Sequence, residues 1–180
     1  MSDDTPPKQP DFHRTIPPGD EVERSVCRQC NFIHYENPKI IAGAVIEHEN
    51  RVLLCRRAIE PRAGYWTIPA GFMELGESPA EGAARESYEE ARAKIRTGSL
   101  LGVYTVKRIS QVQMMYRADI IDPHIEPGPE SSEVAFFNWL DIPWKELAFP
   151  SVIWALRDYQ KVRGCDDFTP FTNPEGWEDI

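Results

Sequence analysis

Three glutamates, Glu86, Glu89 and Glu90, stand at offsets i, i+3 and i+4 within Arg85-Glu86-Ser87-Tyr88-Glu89-Glu90. On a helix those offsets set three carboxylates side by side. Like charges so placed cost a helix roughly 0.2–0.5 kcal/mol per pair, so the cluster calls for a compensating partner. Hard oxygen ligands gathered this way suit a hard divalent cation, Mg²⁺ first and Mn²⁺ in its place. Arg85, four residues before Glu89, can steady one carboxylate by a charge-assisted hydrogen bond. Taken alone, an acidic run is more often a solvated helix face, so the surrounding elements have to decide.

Those elements support a real helix. Ser78-Pro79-Ala80-Glu81 reads as a capping box, with Ser78 at the N-cap, Pro79 at the first helical position and Glu81 reaching back. Ala80, Ala83, Ala84, Ser87 and Ala91 recur at the helical period as a stripe of small side chains able to press onto a sheet. That stripe lies roughly 130° from the glutamates at about 100° per residue. One face is expected to pack and the other to hold charge, and the helix to run on through Arg92 and Ala93 toward Gly98. Ile40–Ile46 reads as a buried strand, Glu49-Asn50 as a turn, and Val52–Cys55 as the answering strand of a hairpin. Trp66-Thr67-Ile68 is a short strand broken by Pro69; Leu100–Lys107, Val112–Ile121 and Val134–Leu140 are further strands. A closing helix, Ser151–Val162, is expected to bury Val152, Ala155, Leu156 and Tyr159. Strands around one central helix with a second helix at the end predict an α/β fold, a mixed sheet packed between helices.

Gly71-x5-Glu77-x7-Arg85-Glu86-x2-Glu89-Glu90 resembles the signature of the Nudix hydrolases, with six matched positions across twenty residues. Two positions depart from the family's pattern: Ser87 where an aliphatic residue is usual, and Arg92 where a glycine is. Neither removes an acidic ligand. The resemblance implies the Nudix α/β/α sandwich over 39–163 and a metal site drawn from Glu86, Glu89, Glu90 and the Gly71 carbonyl, with Glu77 either pairing with Arg85 or reaching the metal through water. For the base it leaves alternatives: Glu90, or Glu130 or Glu133 on the loop Gly128–Glu133, with Arg85 beside the catalytic cluster. The words Ile33-His34-Tyr35-Glu36-Asn37-Pro38-Lys39, Val52–Arg57, Trp66–Gly71, Gly128–Ser131 and Leu147–Ser151 are similar to the ribbon-bearing subgroup typified by the plant FAD and ADP-ribose diphosphatase. That implies a substrate in which a nucleoside diphosphate is linked to another moiety, as in FAD, ADP-ribose or NADH, giving AMP and the partner phosphate. Nucleoside-triphosphate pyrophosphatase activity is the alternative reaction, and a non-catalytic nucleotide-sensing module the alternative class; retention of all three glutamates argues for catalysis. Homodimerisation is common among such enzymes and is carried here as an expectation.

Strand neighbours point to opposite sides, so one of Arg56 and Arg57 should face the substrate. Tyr65, Trp66, Tyr104 and Tyr116 are the candidate aromatic platforms for a base or flavin, against the commoner reading of each as core. Cys27-Arg28-Gln29-Cys30 looks like half a zinc ribbon. The resemblance places a second CxxC near Thr5 and Lys8, where this chain has none; His13 and His34 are the remaining candidates to complete a Zn²⁺ site, and reduced thiols in a β-turn are the alternative.

Length and charge narrow the field further. At 180 residues one main domain with a small appendage is expected: a mobile arm over 1–20 (five prolines), a remnant ribbon over 21–38, and a tail over 164–180. The formal charge of −9 argues against a nonspecific nucleic-acid surface and makes cations and placed arginines necessary for a polyanionic substrate. No apolar run suggests a membrane span, Met1–Pro10 lacks an apolar signal segment, and a cytoplasmic location is the default. Cys55 and Cys165 read as a core residue and an incidental thiol.

Overall fold

Ala44 and Ile46 belong to one apolar cluster and Val45 to another, and the alternation repeats in Val52, Leu53, Leu54 and Cys55. A strand so buried on both sides needs a covering layer on each. In a computed structural model, which describes residues 11–177, that requirement is met by a helix on either face of one sheet. The chain divides into two compact units, Met1–Asn37 and Pro38–Ile180.

In the first unit, β1 (Phe12–Thr15), β2 (Arg24–Cys27) and β3 (Ile33–His34) form an antiparallel sheet in that order. Phe12–Thr15 lie in the stretch whose proline content predicts an arm, yet they pair with β2. Pro17 and Pro18 serve a tight turn instead, closed by the Asp20 N–H on the Pro17 carbonyl at 3.1 Å. Met1–Pro10 lie outside the described residues.

The second unit holds β4 (Lys39–His48), β5 (Arg51–Arg57), β6 (Trp66–Thr67), β7 (Ala70–Phe72), α1 (Pro79–Ala91), β8 (Lys94–Val106), β9 (Gln111–Asp122), β10 (Ser131–Asn138) and α2 (Pro150–Val162). The sheet runs β10-β5-β4-β9-β8, with β6 paired to β5 and β7 to β4. β4 and β9 are parallel and the other neighbours antiparallel, so the sheet is mixed. One cluster, with Ala42, Ala44, Ile46 and Leu53, packs under Ala83 and Ala91 of α1. The other, with Val45, Leu54, Leu101 and Met115, packs under Val152, Ala155, Leu156 and Tyr159 of α2. This is the expected α/β/α sandwich. Among the described residues no helix is long and apolar enough to cross a membrane.

Three local expectations need revision. The glycine-containing lead-in to α1, for which the sequence suggests a turn and no strand, contains a strand, β7, because β4 offers it an edge. The inward face of α1 is Gly82, Ala83, Glu86, Ser87, Glu90 and Ala91, so two of the three glutamates share the packed face instead of opposing it. The helix also stops at Arg92, which takes φ 54° and donates its N–H to the Ser87 and Tyr88 carbonyls, while the Ala93 N–H reaches Ser87 at 3.2 Å. The sequence pattern instead predicts a helix that runs on through Arg92 and Ala93. The left-handed end forms because the buried Ala93 must turn into β8.

A left-handed arginine carries a steric cost that glycine does not. Arg92→Gly should therefore raise the unfolding free energy by about 1 kcal/mol in urea titrations; an unchanged midpoint would mean that the Arg92 guanidinium, 5.2 Å above the Tyr88 ring, compensates for the strain.

Candidate active site

The hairpin strands β4 and β5 pair only near their turn, at Glu47 with Val52 and His48 with Arg51. Beyond it they part; β7 fills in along β4 and β6 along β5. A cleft of ≈ 1060 Å³ opens there, with Gly71, Arg57, Glu86, Glu89, Glu90 and Glu130 in its wall.

Gly71 is required by contact. A Cβ built on it would stand 2.3 Å from the Glu86 carboxylate, so any side chain would displace that group. Arg85 organises the acids. Its Nε and Nη2 grip the two Glu77 oxygens at 3.0 and 2.9 Å, Nη2 also reaches the Phe72 carbonyl at 2.9 Å, and Nη1 reaches Glu86 at 2.8 Å and Glu89 at 2.9 Å. This grip, with the Glu74 N–H at 2.7 Å, holds the Glu77 carboxyl down to about 2. Of the two roles expected for Glu77, pairing with Arg85 is the one seen: it commits both oxygens to that guanidinium and is absent from the cleft wall.

Glu90 is 6% exposed. Burial pushes its pKa up to about 8, the Glu86 charge adds to this, and Arg57 opposes it. A backbone hydrogen bond comes from Ala70, but the buried Oε2 has no protein partner. Glu86 is raised by burial as well, against the pull of Arg85. Glu89 is exposed and held by Arg85. A divalent cation suits this donor set: a buried, unsatisfied carboxylate oxygen, a second buried carboxylate beside it, and a backbone kept bare of side chain at Gly71. Among the described residues no three His, Cys, Asp or Glu side chains already converge on one point, since Arg85 draws Glu86 and Glu89 to itself.

The loop after β9 supplies the rest. The Glu126 N–H caps the Ala91 carbonyl at 3.0 Å and the Gly128 N–H caps that of Glu90 at 2.9 Å. A Cβ on Gly128 would lie 1.6 Å from the Glu89 carbonyl, so only glycine lets the loop close on the helix. Glu130 then lines the cleft near enough to Glu86 and Glu90 to raise both, whereas Glu133 turns to Arg56 at 3.4 Å and does not line it. Of the two strand-end arginines, Arg57 is in the wall, its guanidinium 5.3 Å above the Phe149 ring; Arg56 faces Glu133, the Gly64 carbonyl and Trp66.

None of the four predicted aromatic platforms lines the cleft. Trp66 is buried edge-on against Phe137, and Tyr104 is buried with its hydroxyl on Asp158 at 2.8 Å. Tyr116 packs with the α1-side cluster, and Tyr65 lies under Arg62. Phe72, Phe149 and Trp177 are in the wall instead. Phe149 falls within a family-like word, while Trp177 has no local signal in the sequence.

In the first unit, Cys27 is buried and Cys30 exposed, both free thiols. Backbone N–H groups of Gln29 and Cys30 face the Cys27 sulfur and hold its thiol below the usual range. The His34 ring lies against Phe12, and the buried His13 Nδ1 has no partner. Two thiols without further ligands do not make a tetrahedral zinc site among the described residues; Thr5 and Lys8 lie outside them.

Comparison with known proteins now places the chain. Residues 37–154 match the NUDIX domain, and residues 10–36 match the family described as Nudix N-terminal. The chain belongs to the NUDIX family and is a Nudix hydrolase. It is 43% identical to a NUDIX hydrolase from Nitrosomonas europaea of known crystal structure, with a TM-score of 0.86 over 92% of this chain and 94% of that one. It is 32% identical over 119 residues to an ADP-ribose pyrophosphatase of Methanocaldococcus jannaschii, covering 64% of this chain and 69% of the relative. It is also 36% identical over 129 residues to the NAD-capped RNA hydrolase NudC of Photorhabdus laumondii, covering 67% of this chain and 48% of the relative, so it spans about half of that protein.

The raised Glu90 carboxyl predicts how the metal-free protein responds to pH. Both states hold its proton below about 4.5, and only the folded state holds it from there to about 8. The folded state then binds more protons, so stability falls as pH rises through that window. Urea unfolding between pH 5 and 9 should show this fall flattened in Glu90→Gln and reversed by added Mg²⁺; an equal slope in wild type and variant would remove Glu90 as its source.

Proposed function

We propose that this chain hydrolyses the diphosphate bond of a nucleoside diphosphate linked to another moiety, of the ADP-ribose, NADH or FAD type, releasing AMP and the partner phosphate in a divalent-metal-dependent reaction. The observation that carries the reading is Glu90: a buried carboxylate with an unpartnered oxygen, beside buried Glu86, opening on a cleft that also holds Arg57. The names of the relatives, an ADP-ribose pyrophosphatase and an NAD-capped RNA hydrolase, support a substrate whose reacting part is a nucleoside diphosphate linked to another moiety.

Glu86, Glu89, Glu90 and the Gly71 carbonyl are the groups that would hold Mg²⁺ or Mn²⁺. Such an ion, when bound, neutralises phosphate charge and lowers the pKa of a water. Arg57 offers a fixed cation to a phosphate oxygen from the opposite strand end. Arg85 is a positioning residue, since its hydrogen bonds are spent on Glu77, Glu86, Glu89 and the Phe72 carbonyl. Glu130, exposed in the cleft wall, is better placed than Glu133 to orient an attacking water and take its proton.

Chromatographic analysis of ADP-ribose, NADH, FAD, a short NAD-capped RNA and the nucleoside triphosphates, each with Mg²⁺, Mn²⁺ or chelator, tests the reading. Metal-dependent release of AMP from a dinucleotide is expected, with kcat/KM lowered on the order of 10²-fold or more in Glu89→Gln and Glu90→Gln. Pyrophosphate released from triphosphates alone would favour the alternative reaction. Tight binding without turnover would assign a sensor.

A further inference from the structure

The cleft has two chemically different ends. The acids and Arg57 make one. At the other, β4, β9 and β8 run side by side, bringing Ile41, Gln111 and Val106 together; Lys39 and Val106 are both register partners of Gln111. Ile109 and Phe72, 46% and 50% exposed, add apolar surface to this wall, which also carries Arg108 and Gln113. The exposed apolar surface of Ile109 and Phe72 is of no use to a small polyanion by itself, whereas a diphosphate carrying a flat aromatic group can cover it.

The C-terminal tail completes it. Residues 165–177 contain no helix or extended strand but are fastened along β8. The Phe171 N–H donates to the Leu101 carbonyl and the Val103 N–H to that of Phe171, each at 2.9 Å. Asn173 then ties the chain down. Its Oδ1 accepts from the Thr105 N–H at 2.7 Å, and its Nδ2 donates to the Thr105 carbonyl at 2.8 Å and to the Trp177 carbonyl at 2.9 Å. Trp177 is thereby fixed beside the end of β8, edge-on to Trp154 of α2 at 5.8 Å. It remains 45% exposed and lines the cleft. An indole held by its own backbone and left half open has little ordering entropy to lose when a ring stacks on it.

Resting on the diphosphatase reading above, we infer that the tail builds a nucleobase subsite: Trp177 is the stacking platform, Asn173 positions it, and the Gln111 amide, whose Oε1 accepts from Gln113 Nε2 at 3.2 Å, offers its N–H groups for in-plane hydrogen bonding. The base joined to the diphosphate sits here, while the diphosphate reaches the carboxylate end past Gly71 and Phe72, which are consecutive in β7.

Steady-state kinetics of the full chain and its Trp177→Ala, Trp177→Phe and Asn173→Ala variants test the subsite. The substrates are the dinucleotide turned over by wild type and ribose 5-diphosphate, which keeps the diphosphate and lacks the base. Equilibrium dialysis with AMP runs in parallel. Trp177→Ala is expected to raise KM for the dinucleotide about 10- to 100-fold with kcat nearly unchanged, as loss of a base–aromatic stack does. Trp177→Phe should restore most of the affinity, and Asn173→Ala, which keeps the indole, should also raise KM. AMP binding should weaken in parallel, and turnover of the base-free diphosphate should not change. An unchanged KM and unchanged AMP binding in Trp177→Ala overturn the subsite while leaving the diphosphatase reading intact. Equal losses on the base-free substrate overturn it too, because they mark a structural role. If wild type cleaves no dinucleotide, the diphosphatase reading fails, and AMP dialysis still decides the subsite by itself.

Discussion

The hydrogen bonds of Arg85 tie three of the glutamates to one another and to the strand before the helix. One guanidinium joins Glu77 before the helix, the Phe72 carbonyl of β7, and Glu86 and Glu89 of α1. A planar fork can meet a carboxylate with two parallel donors and still present a third nitrogen elsewhere, which the point charge of a lysine cannot do. It offsets the mutual repulsion of the glutamates while leaving Glu90 outside its reach. The result is an uneven cluster: Glu77 is held strongly acidic, whereas Glu90, away from the guanidinium and buried, is pushed up to about 8. Groups of one chemical type acquire different properties because one cation serves some of them and not the others.

Bringing Glu86 and Glu90 inward costs the fold their desolvation, and the surroundings show how it is tolerated. Gly71 and Gly128 let backbone approach the helix where any Cβ would collide, and the loop after β9 caps carbonyls that α1 cannot satisfy itself. The helix is fixed at both ends, by the Ser78–Glu81 capping box and by the Arg92 turn with its loop partners. Such over-determination lets charged groups stay in a packed face without rearranging. It also keeps the Glu90 Oε2 oxygen buried without a protein partner.

Much of this was legible beforehand. The capping box, the Glu49-Asn50 turn and the apolar alternation are local patterns, and local hydrogen bonding and side-chain period fix their outcome. The direction of α1 was less readable: small alanines suggested the packed face, yet Glu86 and Glu90 share it, because the sheet beneath is split and leaves room for carboxylates. For the four candidate aromatic platforms, the commoner reading as core is the one that Trp66 and Tyr104 follow. An aromatic residue packs wherever volume is available, and Trp66 and Tyr104 fill the α2-side core. The Pro17-Pro18 pair marked a turn between paired strands, which proline content alone does not distinguish from an arm.

The sequence by itself determined the family, the sandwich and the set of acidic residues, because these depend on residue type and on spacings short enough for one helix or one turn to enforce. Only tertiary structure decided which acids are buried and which is spent on Arg85, that Glu130 and not Glu133 lines the cleft, and that Arg57 and not Arg56 does. It also carried Trp177 to the wall from 87 positions beyond Glu90 in the sequence. These outcomes depend on strands parting and on a tail fastening along β8. Contacts between residues distant in sequence are set by how the layers pack, which a local pattern does not record.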